Sequence, residues 1–258
     1  MTARDAVDAA VDALEAAGVD TPRLDAEVLV ADALGVDRSA LVIDPALPIP
    51  GAAARLIGER VRRRVAREPV AYILGSKGFR RLTLFVDSRV LIPRPETELL
   101  VEVAFSLGAG ASVHDVGTGS GAVALALADE RPDLVVSASD ASPAAVAVAA
   151  LNGLTAAVYD GLPPGSYDMV VANLPYVRED EWDGLAPEIR LYEPREALVS
   201  GADGLDAIRA LVAQAAPGLP IALEHAPAQT EAVRALLRQP RVYPDLAGLP
   251  RVTVGRVP

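Results

Sequence analysis

Residues 170–177 read VVANLPYV, an apolar run that stops at an amide, a proline and an aromatic. The chemistry open to such a group is specific. The Asn173 side-chain oxygen and a neighbouring main-chain carbonyl are two acceptors that can hold both hydrogens of a planar –NH2 group. With both hydrogens held, the nitrogen lone pair faces outward. The ring of Tyr176, at the mouth of what reads as a buried strand, can stack on the flat face of an amide or a base. Leu174 and Pro175 shape the turn between them. Methyl transfer to a conjugated nitrogen needs this arrangement: a weak nucleophile oriented in line with the bond that breaks. No strong base is required beforehand, because the nitrogen becomes acidic once it is methylated.

A second group precedes it. HDVGTGSGAVALALA puts Gly117, Gly119 and Gly121 between a strand and a helix, with Thr118 and Ser120 between the glycines. Glycines there permit a tight turn and let a ligand approach main-chain N–H groups at a helix start. With Ala122 the run also satisfies the dinucleotide pattern G-x-G-x-x-G/A, so NAD is a rival ligand. Asp140 ends the next strand, 19 residues beyond Gly121, where a carboxylate can accept hydrogen bonds from both hydroxyls of a ribose. NAD and S-adenosylmethionine both carry that ribose. Asp115, just before the glycines, tilts the choice: a carboxylate would repel a pyrophosphate but suits the amino group and sulfonium of S-adenosylmethionine. Asp115 could equally cap the turn.

These groups need elements to hold them. From about residue 111 apolar strands alternate with helices, from SVHDVG and GAVALALADER to PIALEHA and QTEAVRALLRQ. That alternation indicates parallel β/α units with a sheet covered on both faces. Asn173 then falls at the carboxyl edge of the sheet, where open α/β sheets bind ligands. Before it, residues 1–74 read as helices: Val7, Val11 and Leu14 share one face, Thr21-Pro22 offers a cap and a first turn, and Leu24, Val28 and Ala31 continue to Gly35. A third helix over about 55–67, after the DPALPIP joint, carries Arg60, Arg62, Arg63, Arg64 and Arg67, read as a solvated face or a binding surface. Leu82, Leu84 and Val86 alternate and Val90–Ile92 follow a polar turn, which is hairpin-like. The expectation is a doubly wound Rossmann-like α/β domain over 93–258, preceded by a helical domain over 1–74 and a β-hairpin linker over 75–92.

Taken together, the sequence resembles the HemK/PrmC family of protein-(glutamine-N5) methyltransferases. REPVAYILGSKGFRRLTLFVDSRVLIPRPETELLVE (67–102) resembles the family's linker and RPETE signature, and DVGTGSGAVALALA its first cofactor motif. LAPEIRLYEPREALVSGADGLDAIRAL (185–211) resembles the segment after its catalytic tetrad. The resemblance implies S-adenosylmethionine as cofactor and, as substrate, the glutamine of the Gly-Gly-Gln loop in peptide chain release factors. It places cofactor contacts on Gly117, Gly119, Gly121 and Asp140, and the substrate amide on Asn173, Leu174, Pro175 and Tyr176. Arg94 and Glu96 match the signature that lies near the active site in the family. The helical residues 1–70 would dock the protein partner. Leu174 departs from the usual Asn-Pro-Pro-Tyr tetrad; a trans Leu peptide can still present its carbonyl. Asn152–Asp160 is shorter than the family leads one to expect, so the wall near the adenine would be cut back.

Composition excludes several classes. Without cysteine there are no disulfides, thiolate zinc sites or cysteine nucleophile, and two histidines, His114 and His225, make a histidine-rich metal centre a poor expectation. The net charge of −11 opposes general binding to nucleic-acid phosphates. The acid-bearing start is no signal peptide, and no stretch approaches a membrane span. A monomeric, cytoplasmic enzyme is expected. The alternatives are methylation of an exocyclic amino group in RNA or DNA, since the Asn-Leu-Pro-Tyr form resembles the tetrad of ribosomal RNA adenine dimethyltransferases, and a catalytically silent S-adenosylmethionine-binding protein. An NAD oxidoreductase lacks any hydride-transfer residues after Asn173.

Overall fold

The helical periodicity of the N-terminal third is realised in five helices, α1 (Ala3–Ala16), α2 (Pro22–Leu34), α3 (Arg38–Ile43), α4 (Gly51–Val65) and α5 (Val70–Leu74), in a computed structural model that describes residues 1–258. The chain continues through β1 (Ser76–Phe79), β2 (Leu82–Phe85), α6 (Glu98–Ala104), β3 (Ser112–Val116), α7 (Ala122–Glu130), β4 (Val135–Asp140), α8 (Pro143–Leu151) and β5 (Ala157–Val158). It closes with β6 (Met169–Ala172), α9 (Pro187–Tyr192), α10 (Asp206–Gln214), β7 (Pro220–Glu224), α11 (Thr230–Ala235), β8 (Arg238–Pro244) and β9 (Pro250–Arg256). Packing divides it into two units: Met1–Gly75 with Ala186–Tyr192, and Ser76–Leu185 with Glu193–Pro258. The second domain is not the unbroken run 93–258 that the sequence predicts, because Ala186–Tyr192 packs with the helices.

In the helical unit, Thr2 and Asp5 form a capping box that starts α1, and Ala6, Val7, Ala10 and Leu14 pack against Ala26, Val30 and Ala31 of α2 and Ile57 of α4. The face of α2 differs from the expected one. Leu24 is exposed, while Leu29 and Val30 are buried. The reason is Asp25, turned inward to pair with Arg64 at 2.7 Å; Thr21, expected as a cap, donates its hydroxyl to Asp25 instead. Of the five arginines read as one surface, Arg62 is exposed, and the other four are paired. Arg60 pairs with Asp32 at 2.6 Å, Arg63 grips Glu68 with two nitrogens, and Arg64 and Arg67 each meet Glu188 of α9 at 2.8 Å. Tyr192 donates its phenol to the Ala66 carbonyl at 2.7 Å. Ion pairs and this bond thus hold a seven-residue return of the chain.

In the second unit, the hairpin is β1 with β2, turning at Arg80, whose φ is 51°. Val90–Ile92 was expected to strand-pair and does not; Val90 and Ile92 are buried without a ladder. The main sheet has the order β5-β4-β3-β6-β7-β9-β8, parallel except at β9 and β8. Met169 and Val171 point into the layer of α6 and α7, and Val170 and Ala172 into that of α10 and α11, so β6 is apolar throughout because both its faces are covered. Strand order reverses between β3 and β6: the chain runs outward from β3 to β5, then returns to the other side of β3. Their carboxyl ends flank the switch-point crevice where such sheets bind ligands.

Candidate active site

The loop leaving β3 is left-handed at all three glycines, with φ of 72° at Gly117, 55° at Gly119 and 87° at Gly121. Other residues adopt that region only at a cost, which is why glycine recurs here. The Gly117 and Thr118 N–H groups both donate to the Ser139 carbonyl, at 2.9 and 3.0 Å, pinning the loop to the end of β4. Asp140 is fixed from two sides: the Gly119 N–H donates to Oδ2 and the Ser142 N–H to Oδ1, each at 2.9 Å. An ionised carboxylate has about four acceptor positions, so each oxygen keeps capacity for another donor. Asp115 is buried and receives the Thr118 hydroxyl at 2.6 Å. Burial raises its pKa to about 7, against the opposing pull of Thr118 and of the Ala124 main chain.

Asn173 follows β6. Its Nδ2 donates to the Thr97 hydroxyl at 3.0 Å, so Oδ1 is the amide atom left to accept from a ligand. Leu174 packs against the glycine loop so closely that a Cβ on Gly117 would stand 3.0 Å from its Cδ2. No peptide in the chain is cis, Leu174 included. The sequence places the Tyr176 ring at the mouth of the strand, free to stack on a ligand. It is half-buried, its phenol donating to Glu224 Oε1 at 3.2 Å and its carbonyl accepting from Gln229 Nε2 at 2.8 Å. Burial raises the phenol's pKa, and the Glu224 charge adds to it. Arg94 ion-pairs with Glu193 at 2.5 Å, and Glu193 also accepts the Ile92 N–H at 3.0 Å.

A cavity of about 460 Å³ lies over the switch point. Its wall includes Asp115, Gly117, Thr118, Gly119, Ser120 and Asp140 from one side of the crevice, and Asn173, Leu174, Pro175 and Arg94 from the other. Gly121, Tyr176 and Glu96 are not on that wall; Tyr176 faces a shallow depression with Val177, Glu181 and Leu185. Stacking of the Tyr176 ring on a ligand in the cavity is therefore not the arrangement found, because a buried acid holds the phenol. Sequence reasoning missed Thr97, although it stands inside the quoted RPETE run, and Glu224, a carboxylate closing an apolar strand. It also missed Leu211 and Gln214 of α10, which complete the wall. On the shortened side, β5 is a two-residue exposed edge, and Tyr159 and Asp160 behind it line the cavity.

The residues present fit S-adenosylmethionine. A Cβ built on Gly119 meets nothing within 4 Å, so the loop leaves open space beside main-chain N–H groups. Asp140 stands at the strand end with spare acceptor capacity for ribose hydroxyls, and Asp115 is an acid in a dry pocket where a cation would find a partner.

Comparison with known proteins decides the family. The PrmC N-terminal domain model matches residues 5–75 and the methyltransferase small domain model matches residues 95–202. The release factor glutamine methyltransferase of Cereibacter sphaeroides is 40 % identical over 277 aligned positions, covering 100 % of this chain and 99 % of that protein. The chain belongs to the release factor glutamine methyltransferase family. A second member, from Xylella fastidiosa (strain Temecula1), is 42 % identical over 92 % of this chain and 94 % of its own. Among solved structures, the catalytic domain of hMettl16 in complex with the MAT2A 3′UTR hairpin 6 superposes with a TM-score of 0.51 at 11 % identity, over 67 % of this chain and 74 % of that one, a likeness of fold alone.

Proposed function

We propose that this protein methylates the side-chain amide nitrogen of a glutamine in a peptide chain release factor, at the Gly-Gly-Gln loop, using S-adenosylmethionine. When bound, that cofactor supplies an electrophilic methyl group on a sulfonium. The observation carrying the reading is the orientation of Asn173: Nδ2 is engaged by Thr97, so an acceptor oxygen is presented at the switch-point cavity. Asn173 Oδ1 and a neighbouring main-chain carbonyl of Leu174 or Pro175 would take the two hydrogens of the substrate –NH2 and turn its lone pair toward the methyl. Asp140 would hold the ribose, the glycine loop the cofactor's amino-acid portion, and Asp115 would favour positive charge nearby. Arg94, tied to Glu193, would wall the substrate side.

The helical unit is the natural place to dock the release factor, and a substrate that is part of the translation machinery fits a cytoplasmic location. No helix is long and apolar enough to cross a membrane. Mass spectrometry of a release factor incubated with enzyme and cofactor tests the reading. A mass increase of about 14 Da on the Gly-Gly-Gln glutamine is the expected result. Methylation of RNA or DNA with an unmodified release factor would overturn it.

A further inference from the structure

Gln229 closes the single turn Pro227–Gln229 ahead of α11 and is buried. Every polar atom of its side chain is engaged. Nε2 donates to the Tyr176 carbonyl at 2.8 Å and to the Asp203 carbonyl at 3.0 Å, while Oε1 accepts the Ala226 N–H at 3.0 Å. A side-chain amide carries two N–H donors, and here both go to main-chain carbonyls of two separate segments. Gly204 lets those segments come together. Its φ is 75°, and a Cβ on it would overlap the Tyr176 carbonyl oxygen and Gln229 Nε2.

The same joint continues on either side of Gln229. The Val177 N–H donates to the Leu198 carbonyl at 2.8 Å, and the Ser200 N–H to the Val177 carbonyl at 3.0 Å. The Ser200 hydroxyl accepts the Ala207 N–H at 2.8 Å in the first turn of α10. Ala207, Leu211 and Gln214 of that helix line the cavity that Leu174 and Pro175 also line. Gln229 therefore ties the end of the 173–176 tetrad to the segment leading into a cavity-lining helix. Thr97 holds the start of the tetrad, through Asn173 Nδ2 at 3.0 Å.

We propose that Gln229 is a positioning residue for the methyl transfer, fixing the Tyr176 end of the tetrad and with it the main-chain carbonyls of Leu174 and Pro175. This role rests on the reading of the tetrad as the group that grips the substrate amide. Such a grip needs two acceptors at a set spacing, Asn173 Oδ1 and a main-chain carbonyl. Thr97 orients the first. Leu174 leaves the main chain softer at the second than a proline would. The restraint has to come from outside the turn. Peptide planes and the fixed φ of Pro175 leave few soft torsions between the tetrad carbonyls and that of Tyr176. Holding the Tyr176 carbonyl by Gln229, and its phenol by Glu224 at 3.2 Å, therefore restrains them. Without the Gln229 donors, two adjacent carbonyls lose their partners and separate, which carries the tetrad off the line to the methyl group.

The test uses the full-length protein, unsubstituted and as Gln229→Met, Gln229→Glu, Asn173→Ala, and Asn173→Ala combined with Gln229→Met. Single-turnover methylation of a release factor is measured at saturating cofactor, with cofactor affinity by calorimetry. Gln229→Met, of similar size but without donors, should slow transfer by about 10- to 100-fold, as a small misplacement of a reacting group does. Gln229→Glu turns oxygens toward both carbonyls and should be at least as slow. Cofactor affinity should stay within about twofold in both. A residue acting through the clamp has little to act on once the clamp is gone. In the Asn173→Ala background, Gln229→Met should therefore slow the reaction by less than about threefold. The same slowing in both backgrounds marks a merely structural role and would overturn the inference. So would a parental rate in Gln229→Met beside an impaired Asn173→Ala, which leaves the amide clamp standing. If Gln229→Met does not fold, Gln229→Glu replaces it in the comparison. Loss of cofactor binding in both would also overturn the inference, since Gln229 would then support the fold as a whole. A parental rate in Asn173→Ala would remove the clamp itself, and this inference with it.

Discussion

Asn173 and Asp140 face one cavity with different expected duties, and substitution separates them. Asn173→Ala removes a positioned acceptor, a loss that typically slows reaction by about 10²–10³ by analogy with oxyanion-hole deletions. Cofactor affinity should barely change, so single-turnover rates and calorimetry on one preparation check the claim. Asp140→Ala should show the reverse emphasis, weakening cofactor binding by about 1.5–3 kcal/mol, about 10- to 150-fold. Unchanged affinity would take Asp140 out of the site. Asp115 adds a pH signature. Its pKa is raised to about 7 by burial, and a cationic ligand favours the ionised form, so cofactor affinity should strengthen as pH rises through about 7 and weaken below it. Asp115→Asn should flatten that dependence, whereas a pH-independent affinity in the unsubstituted protein would sever Asp115 from the cofactor. The glycines, Asp140 and Asn173 were legible because each sits at a fixed offset from a strand end. Thr97 was not, since its bond to Asn173 arises only when a segment 76 positions before it is packed against it.

At the scale of an element, the β3–α7 loop contains glycines with unlike reasons to be glycine. A Cβ on Gly121 would lie 3.0 Å from Leu154 and 3.2 Å from Leu125, with φ of 87°. Gly121→Ala therefore adds strain and overlap within the protein itself and should lower its stability by about 1–3 kcal/mol, read from denaturant unfolding. Gly119 has φ of 55° and an open surround, so Gly119→Ala should cost only about 1 kcal/mol in stability. Its methyl would occupy the space reserved for a ligand, so cofactor affinity should fall more than the fold does. Equal affinity in Gly119→Ala and the unsubstituted protein would mean that the ligand does not approach this loop. The β/α alternation that frames the loop was readable from residue 111 onward because both sheet faces are covered and the strands are apolar runs. The edges escaped notice: β5 has two exposed residues, and β8 and β9 hold prolines and arginines among their apolar residues. The hairpin was expected a few residues too late, because buried Val90 and Ile92 look like strand residues yet serve a loop.

For the whole molecule, the composition of the helical unit invites the notion that its arginines hold the partner. The geometry of four of them argues otherwise, Arg62 alone of the sequence-read set being exposed and unpaired. Arg60, Arg63, Arg64 and Arg67 are committed to Asp32, Glu68, Asp25 and Glu188, and removing one partner of a buried pair such as Arg64–Asp25 typically costs about 3–5 kcal/mol. Substituting them would test folding rather than docking. Deleting residues 1–74 is no cleaner, since Glu188 would lose both its arginines. No sequence pattern announced this return, because it is made by groups up to 126 positions apart. The better probe is α3, where Val42 and Ile43 are 75 % and 81 % exposed and no packing or ion pair of the unit depends on them. If the helical unit docks the release factor, large apolar side chains left in solvent are the natural anchors. The double variant Val42→Asp with Ile43→Asp should keep the melting temperature and cofactor affinity while raising the KM for an intact release factor by about tenfold. A short Gly-Gly-Gln peptide draws on no remote contact, so it should be a poor substrate for both proteins and equally poor for each. Steady-state kinetics on the two substrates decide the matter: an unchanged KM for the intact release factor would place its docking somewhere other than α3.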